Sequence, residues 1–296
     1  MAPQADPEML LASPPPVRLA LELGARVLRD AGIADARLDA EWLLAEVLGV
    51  TRGRLVLHRR DVLEPSTAAR YVQWLRRRVA RVPLQHIVGT QAFRDLSLTV
   101  SSHALVPRPE TELLAGWAIE RLADTLSPLL IDLGTGSGCI ACAIATEHPG
   151  ARVVAVDVSP DAVQLARDNV AMLGLVGRVT VEESDLFSAL APMRADLVVS
   201  NPPYLPGGLI DLLAPEVSRY DPRLALDGGV DGLDVIGRLV DEAPRWLAPG
   251  GWLLLETAGG EQVPDVVARM GARGFARVET RPDLAGIVRF VGGGMP

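Results

Sequence analysis

Leu129-Leu130-Ile131-Asp132-Leu133-Gly134-Thr135-Gly136-Ser137-Gly138 is an apolar run that carries one carboxylate and then breaks into alternating glycines. A short continuous apolar run after Ser127-Pro128 reads as a strand buried on both faces. Glycines in the turn that follows let the backbone reverse sharply and approach a ligand closely. The spacing D-x-G-x-G-x-G is not the G-x-G-x-x-G of dinucleotide binders, and the chain holds no G-x-x-x-x-G-K-[ST] phosphate loop. By itself such a turn fits a dinucleotide, a phosphate or no ligand at all.

The chain on either side of this turn fixes the fold class. Downstream, strands are expected at 152–157, 178–183, 195–200, 252–256, near 276–280 and at 287–291. Helices are expected at 160–172, 231–247 and 263–272. Alternating strands and helices with apolar strands mean an α/β domain with a mainly parallel sheet covered on both faces. Upstream the period changes. Leu19, Leu23, Val27 and Leu28, then Leu38, Trp42, Leu43, Ala45, Val47 and Leu48, recur at helical spacing. Gly32 and Gly49 stand where those helices should stop, and Pro65 can open another over 66–80. Phe93, Leu96, Leu98 and Val100 alternate as strands do, so 83–106 reads as a β-hairpin linker. The expected organisation is a helical domain over 1–82, the hairpin over 83–106 and the α/β domain over 107–296, with about the first 15 residues disordered.

Composition narrows the class further. The chain has 296 residues, 49% of them hydrophobic and 22% charged, an ordinary globular balance. No apolar run reaches the ~20 residues of a membrane span. The start carries Asp6 and Glu8 and lacks a basic segment of the signal-peptide kind. A cytoplasmic location is therefore expected. The net charge of −8 weighs against a dedicated nucleic-acid binder. Arg76, Arg77, Arg78 and Arg81 form a local basic cluster, read as the solvated face of a helix. Cys139 and Cys142 form a C-x-x-C with only His148 close in sequence, so they read as small buried apolar residues and no metal is expected.

Two carboxylates sharpen the reading of the glycine turn. Asp157 ends the second strand of the α/β domain, where an acid can accept hydrogen bonds from both hydroxyls of a ribose. Its alternative is a helix cap before Pro160, although Ser159 is better placed for that. Asp185, in Ser184-Asp185-Leu186-Phe187 after the third strand, can accept from an adenine amino group, with an apolar neighbour covering the ring. Core packing is the alternative for Leu186 or Phe187.

The chemistry is carried by Asn201-Pro202-Pro203-Tyr204, after the fourth strand. Two prolines stiffen the loop. A planar NH2 group has two hydrogens and a poorly nucleophilic nitrogen. The Asn201 oxygen can accept one hydrogen and the Pro202 carbonyl the other, while Tyr204 packs on the flat group. That aims the nitrogen at the methyl of S-adenosylmethionine. Orientation of this kind supplies on the order of 7–11 kcal/mol. The residues alone therefore point to a methyltransferase acting on a planar NH2, whether of glutamine, adenine or cytosine.

At this point 17–291 resembles the HemK/PrmC family, the glutamine N5-methyltransferases of peptide chain release factors. The resemblance rests on 83–89 (PLQHIVG), 106–112 (VPRPETE), 132–138, Asp157, Asp185 and 201–204. It also takes in Asp227-Gly228-Gly229 through Gly232-Leu233, and Asp283-Leu284-Ala285-Gly286 with Arg289. It implies a Rossmann-like, seven-stranded class I methyltransferase sheet, last strand antiparallel, behind a small all-helical domain that recognises substrate. It implies S-adenosylmethionine, leaving as S-adenosylhomocysteine, at Asp132, Gly134, Thr135, Gly136, Ser137, Gly138, Asp157, Asp185, Leu186 and Asn201. It implies a substrate glutamine, from the Gly-Gly-Gln loop of class 1 release factors, held by Arg108, Glu110, Asn201, Pro202, Pro203 and Tyr204. Asn201, Pro202 and Tyr204 are the expected catalytic residues. The segment 107–112 should help close the site and also reads as a helix start, with Pro109 first. Leu186 stands where some members carry Trp, so adenine covering is expected to be weaker or shared with Phe187. The stretch 256–262 departs from the family spacing and is given no role. The sister activity on a ribosomal protein is the nearest alternative, and a nucleic-acid amino-methyltransferase is a further one. A monomer without direct nucleic-acid binding is expected.

Overall fold

A computed structural model of the chain describes residues 6–296. The chain divides into two compact units. One holds residues up to Gly89 with Pro215–Tyr220, and the other holds Thr90–Ala214 with Asp221–Pro296.

The first unit is helical: α1 (Met9–Ala12), α2 (Val17–Asp30), α3 (Ala36–Leu48), a 3-10 turn (Arg52–His58), α4 (Pro65–Val79) and α5 (Leu84–Val88). Pro65 opens α4 at a position where a missing N–H costs nothing. Gly49 closes α3 in the left-handed conformation at φ 68°. Leu28, Leu43, Leu44, Tyr71 and Leu75 are fully buried between these helices.

Two expectations fail in this unit and a third holds only in part. The opening residues were read as disordered, yet Met9–Ala12 is helical and Leu10 is buried in the core; residues 1–5 lie outside the described residues. The basic cluster is a solvated face only in part: Arg76 and Arg77 are exposed, and Arg78 and Arg81 are not. Arg78 is buried and pairs with Asp39 at 2.7 Å and Glu216 at 2.8 Å, and Arg81 pairs with Glu216 at 2.9 Å. Arg76 pairs with Glu8, and Arg77 donates to the His86 carbonyl. These guanidinium groups are committed within the unit. The stretch read as a hairpin over 83–106 begins instead with α5, stopped by Gly89 at φ 89°. The apolar pattern there is short enough to suit either a helical turn or a strand.

The second unit begins with the hairpin itself, β1 (Thr90–Phe93) and β2 (Leu96–Thr99). There follow α6 (Pro109–Leu122), β3 (Leu129–Leu133), α7 (Cys139–Glu147), β4 (Arg152–Asp157), α8 (Pro160–Met172), β5 (Val179–Glu183) and β6 (Ala195–Ser200). After α9 (Pro215–Ser218), which belongs to the first unit, come α10 (Asp234–Glu242), β7 (Leu247–Glu256), α11 (Gln262–Ala272), β8 (Arg277–Pro282) and β9 (Val288–Gly294). The seven strands run in the order β5-β4-β3-β6-β7-β9-β8. β3 to β7 pair in parallel, and β9 is antiparallel to both neighbours. Both faces are covered, as apolar strands require. Leu130 packs with Trp117 and Ala141 on one side, and Ile131 and Leu133 pack with Ile236, Leu239 and Val240 on the other.

The helix expected over 231–247 is shorter than its apolar period suggests. It starts at Asp234, after Gly232 at φ 80°, and gives way to a 3-10 turn at Ala243–Arg245 that contains Pro244. Proline has no N–H for the helix and clashes with the preceding turn. β7 accordingly starts at Leu247 rather than at Trp252. Among the described residues, no helix is long and apolar enough to cross a membrane.

Candidate active site

β3 lies between β4 and β6, so the chain leaves it in one direction and returns on the other side. A crevice opens at such a switch point, beyond the carboxyl ends of the strands. A cavity of about 360 Å³ occupies it.

The glycine turn forms its floor. Gly134, Gly136 and Gly138 have φ of 66°, 57° and 81°, values an L side chain rarely adopts. A Cβ on Gly134 would meet no atom within 4 Å, so this backbone faces open space. Gly134, Thr135, Gly136 and Ser137 line the cavity, whereas Gly138 packs against Ala166 in α8. Asp132 is also off the wall. It is fully buried, accepts from the Thr135 hydroxyl at 2.6 Å and from the Ala141 N–H at 3.2 Å, and thereby shapes the turn. Burial pushes its carboxyl up to about 7.

Asp157 stands at the end of β4 and lines the cavity. Its two oxygens accept from the N–H groups of Gly136 at 2.9 Å and Ser159 at 3.0 Å. Burial raises its pKa, against the pull of those amides. The helix cap is Ser159, whose hydroxyl accepts from the Ala162 N–H. Asp185 lies on the exposed rim, paired with Arg238 at 2.9 Å.

Leu186 lines the cavity from a left-handed backbone, φ 50°. A bulky residue held there costs on the order of 1–3 kcal/mol. The Ser184 hydroxyl holds the turn, donating to the Leu186 carbonyl at 2.7 Å and accepting from the Ala189 N–H at 3.0 Å. Phe187 does not share the covering of this cavity. It points away and stacks on Trp246, with ring centroids 5.1 Å apart and planes 8° apart. Consecutive side chains leave such a turn in different directions, and only one of the two can face the crevice.

Asn201 follows β6 and lines the cavity with Pro203, whereas Pro202 and Tyr204 are not among its lining residues. The Asn201 Nδ2 donates to the Thr111 hydroxyl at 3.0 Å. Thr111 donates to Glu256 Oε2 at 2.9 Å, and the Tyr204 hydroxyl donates to Glu256 Oε1 at 3.2 Å. Burial pushes the Glu256 carboxyl up to about 7. Burial, with Glu256 adding, also raises the Tyr204 phenol.

The residues around the tetrapeptide lock its backbone. Leu205 and Asp227 form a β-bridge, and the Gln262 amide donates to the Tyr204 carbonyl at 2.8 Å and to the Asp231 carbonyl at 3.2 Å. A Cβ on Gly232 would stand 2.2 Å from the Tyr204 carbonyl oxygen. Arg108, a cavity residue, is paired with buried Asp221 at 2.7 Å. Burial still pushes Asp221 up to about 6 against that pairing. Glu110 is in the first turn of α6 and is not on the cavity wall. Cys139 reaches the wall from α7; burial, with the Asp132 carboxylate adding, pushes both thiols up, Cys142 to about 12.

Two segments match known domains: residues 20–89 the PrmC N-terminal domain, and residues 111–214 the methyltransferase small domain. A release factor glutamine methyltransferase of Geobacter sulfurreducens is 42% identical over 277 residues, covering 94% of this chain and 96% of that protein. One from Streptomyces coelicolor is 45% identical over 269 residues, covering 89% and 92%. The chain belongs to the release factor glutamine methyltransferase family. Among solved structures, the hMettl16 catalytic domain in complex with a MAT2A 3'UTR hairpin aligns with TM-score 0.57 at 16% identity, over 78% of this chain and 82% of that one. The Thermus thermophilus 16S rRNA N2 G1207 methyltransferase RsmC, in complex with AdoMet and guanosine, aligns with TM-score 0.52 at 20% identity, over 70% and 50%. At these identities the likeness is one of fold: a class I methyltransferase sheet.

In this family member the sequence reading missed Thr111, Glu256 and Gln262. Thr111 was seen only as part of a helix start, and 256–262 was given no role. Their signal is polarity where burial is expected. Glu256 ends an apolar strand at 1% exposure, and Thr111 is at 2%. A buried carboxylate is kept only where other groups donate to it. That pairing spans 145 residues of sequence and is invisible along the chain.

Proposed function

We propose that this protein transfers a methyl group from S-adenosylmethionine to the side-chain amide nitrogen of a release-factor glutamine, within the Gly-Gly-Gln loop of class 1 release factors. The observation that carries the reading is Asn201. Its Nδ2 is committed to Thr111, while its Oδ1 has no hydrogen-bond partner among the described residues, on a residue that lines the cavity. The relatives' activity and the crevice beyond the carboxyl ends of the strands support it.

The residues present fit the cofactor. Ser137 lines the cavity and its Oγ is buried without a hydrogen-bond partner among the described residues, and the space above Gly134 is open. Gly134 to Ser137 would take the amino-acid end, Asp157 the ribose hydroxyls, and Leu186 with Asp185 the adenine. When bound, S-adenosylmethionine supplies an electrophilic methyl on a sulfonium and leaves as S-adenosylhomocysteine. Asn201 Oδ1 and the Pro202 carbonyl would each accept one hydrogen of the substrate NH2. Both acceptors draw density onto the nitrogen and hold its face toward the methyl. Tyr204, fixed by Glu256, would keep the amide plane from turning. A substrate without NH2 leaves these acceptors unpaired, at ~1–3 kcal/mol for each buried group. Arg108 and Glu110 would contact the loop around the glutamine. The helical unit would recognise the rest of a release factor, and the enzyme would act as a cytoplasmic monomer without nucleic acid.

A transfer assay with labelled S-adenosylmethionine tests this. Its substrates are recombinant release factor, the Gln→Ala version of its Gly-Gly-Gln loop, a ribosomal protein pool and duplex DNA. Label on the intact release factor alone is the expected result. Label on the pool or on DNA instead overturns the substrate.

A further inference from the structure

We propose that Glu256, acting through the Thr111 hydroxyl, sets which way round the Asn201 amide faces and so makes the site accept a hydrogen-donating NH2. This rests on the reading that Asn201 grips a substrate NH2. It assigns to Thr111 and Glu256 a positioning and specificity role.

The argument is a count of protons. Above about pH 7 Glu256 is ionised, and an ionised carboxylate can only accept hydrogen bonds. Glu256 therefore takes the Thr111 hydroxyl proton at Oε2, at 2.9 Å, and the Tyr204 hydroxyl proton at Oε1, at 3.2 Å. Threonine has one hydroxyl proton, and Glu256 has claimed it. Toward Asn201 the hydroxyl then offers only lone pairs. The group of Asn201 that approaches Thr111 Oγ1, at 3.0 Å, must be the donating Nδ2. Asn201 Oδ1 is left as the acceptor for the cavity. If the Thr111 proton pointed at Asn201 instead, the amide would be stable the other way round. It would then present its own NH2 to a substrate NH2, donor against donor.

The same carboxylate serves both ends of the tetrapeptide, orienting the Asn201 amide through Thr111 and the Tyr204 ring directly. Its burial is what makes this reliable. Glu256 and Thr111 are almost wholly excluded from solvent, so water cannot substitute for a lost partner. Thr111 is held by the first turn of α6, whose start Pro109 fixes, and Glu256 by the end of β7. The two elements meet only in the folded domain.

The test uses Glu256→Gln, Thr111→Val and Thr111→Ser in the full-length protein. Neutron diffraction on deuterium-exchanged crystals reads the device directly, whatever the substrate. In the wild type at pH 8.5, where Glu256 is ionised, deuterium on Thr111 Oγ1 should lie toward Glu256, and the two deuterons of Asn201 on the atom facing Thr111. In Glu256→Gln the new side-chain NH2 can donate to Thr111, and the Asn201 amide should reverse. Kinetics give the second readout. Glu256→Gln and Thr111→Val should lower kcat about a hundredfold, as loss of an aimed hydrogen-bonding group does, while the calorimetric Kd for S-adenosylhomocysteine stays within about twofold, a difference too small to count as one lost hydrogen bond. Thr111→Ser keeps the hydroxyl and should restore turnover. An unreversed Asn201 in Glu256→Gln would overturn the proposal. So would Thr111→Val with wild-type kcat, or a Thr111→Ser as inactive as Thr111→Val. If the wild type labels a ribosomal protein or DNA rather than a release factor, the substrate reading fails while the same variants still decide the orientation.

Discussion

Asp157 Oδ2 accepts a hydrogen bond from the Gly136 N–H at 2.9 Å, tying the end of β4 to the glycine turn after β3. One carboxylate thus holds the turn in place and leaves lone pairs for hydroxyl groups in the cavity. Asp157→Ala removes both. The expected result is a rise of roughly ten- to a hundredfold in the Kd of S-adenosylhomocysteine by calorimetry, the equivalent of one or two lost hydrogen bonds. An unchanged Kd would remove the ribose assignment.

Asn201→Ala deletes the acceptor proposed for the substrate NH2 and leaves the glycine turn alone. Turnover should fall by about 10²–10³ or more, with cofactor affinity nearly unchanged. Near-normal turnover in single-turnover experiments would sink the amide-grip mechanism.

Leu186 and Phe187 are adjacent but should behave differently. Phe187→Leu breaks the stack on Trp246. It should lower the melting temperature, losing ~0.5–1.5 kcal/mol of ring pairing beyond area, without altering cofactor affinity. Leu186→Ala should weaken the cofactor. A Phe187→Leu protein with normal stability and a raised Kd would reverse these two assignments.

Gly232 has φ 80°, and a Cβ there would press into the Tyr204 carbonyl. Gly232→Ala should displace the tetrapeptide and cut activity, with a fold cost of at least ~1–3 kcal/mol from backbone strain. Gly250 also has positive φ, but nothing lies within 4 Å of its Cβ position. Gly250→Ala is the control: it should lose some stability and keep its activity. Equal activity loss in both would show that strain alone, not the contact with Tyr204, is responsible.

Stability should depend on pH near neutrality. Asp132 and Glu256 are pushed up to about 7, and Asp221 to about 6, each mainly by burial. Their reference values are 3.8 for Asp and 4.5 for Glu, so between those values and 6–7 the folded state holds more protons than the unfolded one. Stability from these groups is full below the reference values and is lost as pH rises through 6–7. Glu110, Arg289, Thr111 and Tyr204 face Glu256 and modify its value without reversing the sign. Asp241, lowered by Arg269 and Arg273, loses its contribution only in acid below its reference value of 3.8, outside this window. Denaturant midpoints at pH 5.5 should exceed those at pH 8, and Glu256→Gln should flatten the slope. A midpoint that rises with pH across this range would contradict the buried, raised carboxyls.

The sheet was legible in the sequence because period and punctuation are local. The apolar run 129–133, the glycines after it and the Ser159-Pro160 start of α8 each state their conformation within a few residues. Asn201 to Tyr204 could be read for the same reason, since two prolines and an amide carry their chemistry in adjacent positions. Short elements were harder. α5 follows a pattern too brief to choose between helix and strand and is stopped by Gly89, while the 3-10 turn at Ala243–Arg245 is set by Pro244 against an apolar period that reads as continued helix.

What the sequence by itself determined is the α/β order, the ligand end of the sheet and the class of chemistry, all of which depend on residues close along the chain. Only the tertiary structure decided that Phe187 turns to Trp246, that Arg78 is buried against Asp39 and Glu216, and that Glu256 holds Thr111 and Tyr204. Those pairings form because burial removes water as a competing partner, so each polar group must take whichever partner the fold brings to it. A linear sequence carries no record of which groups will share that dry space.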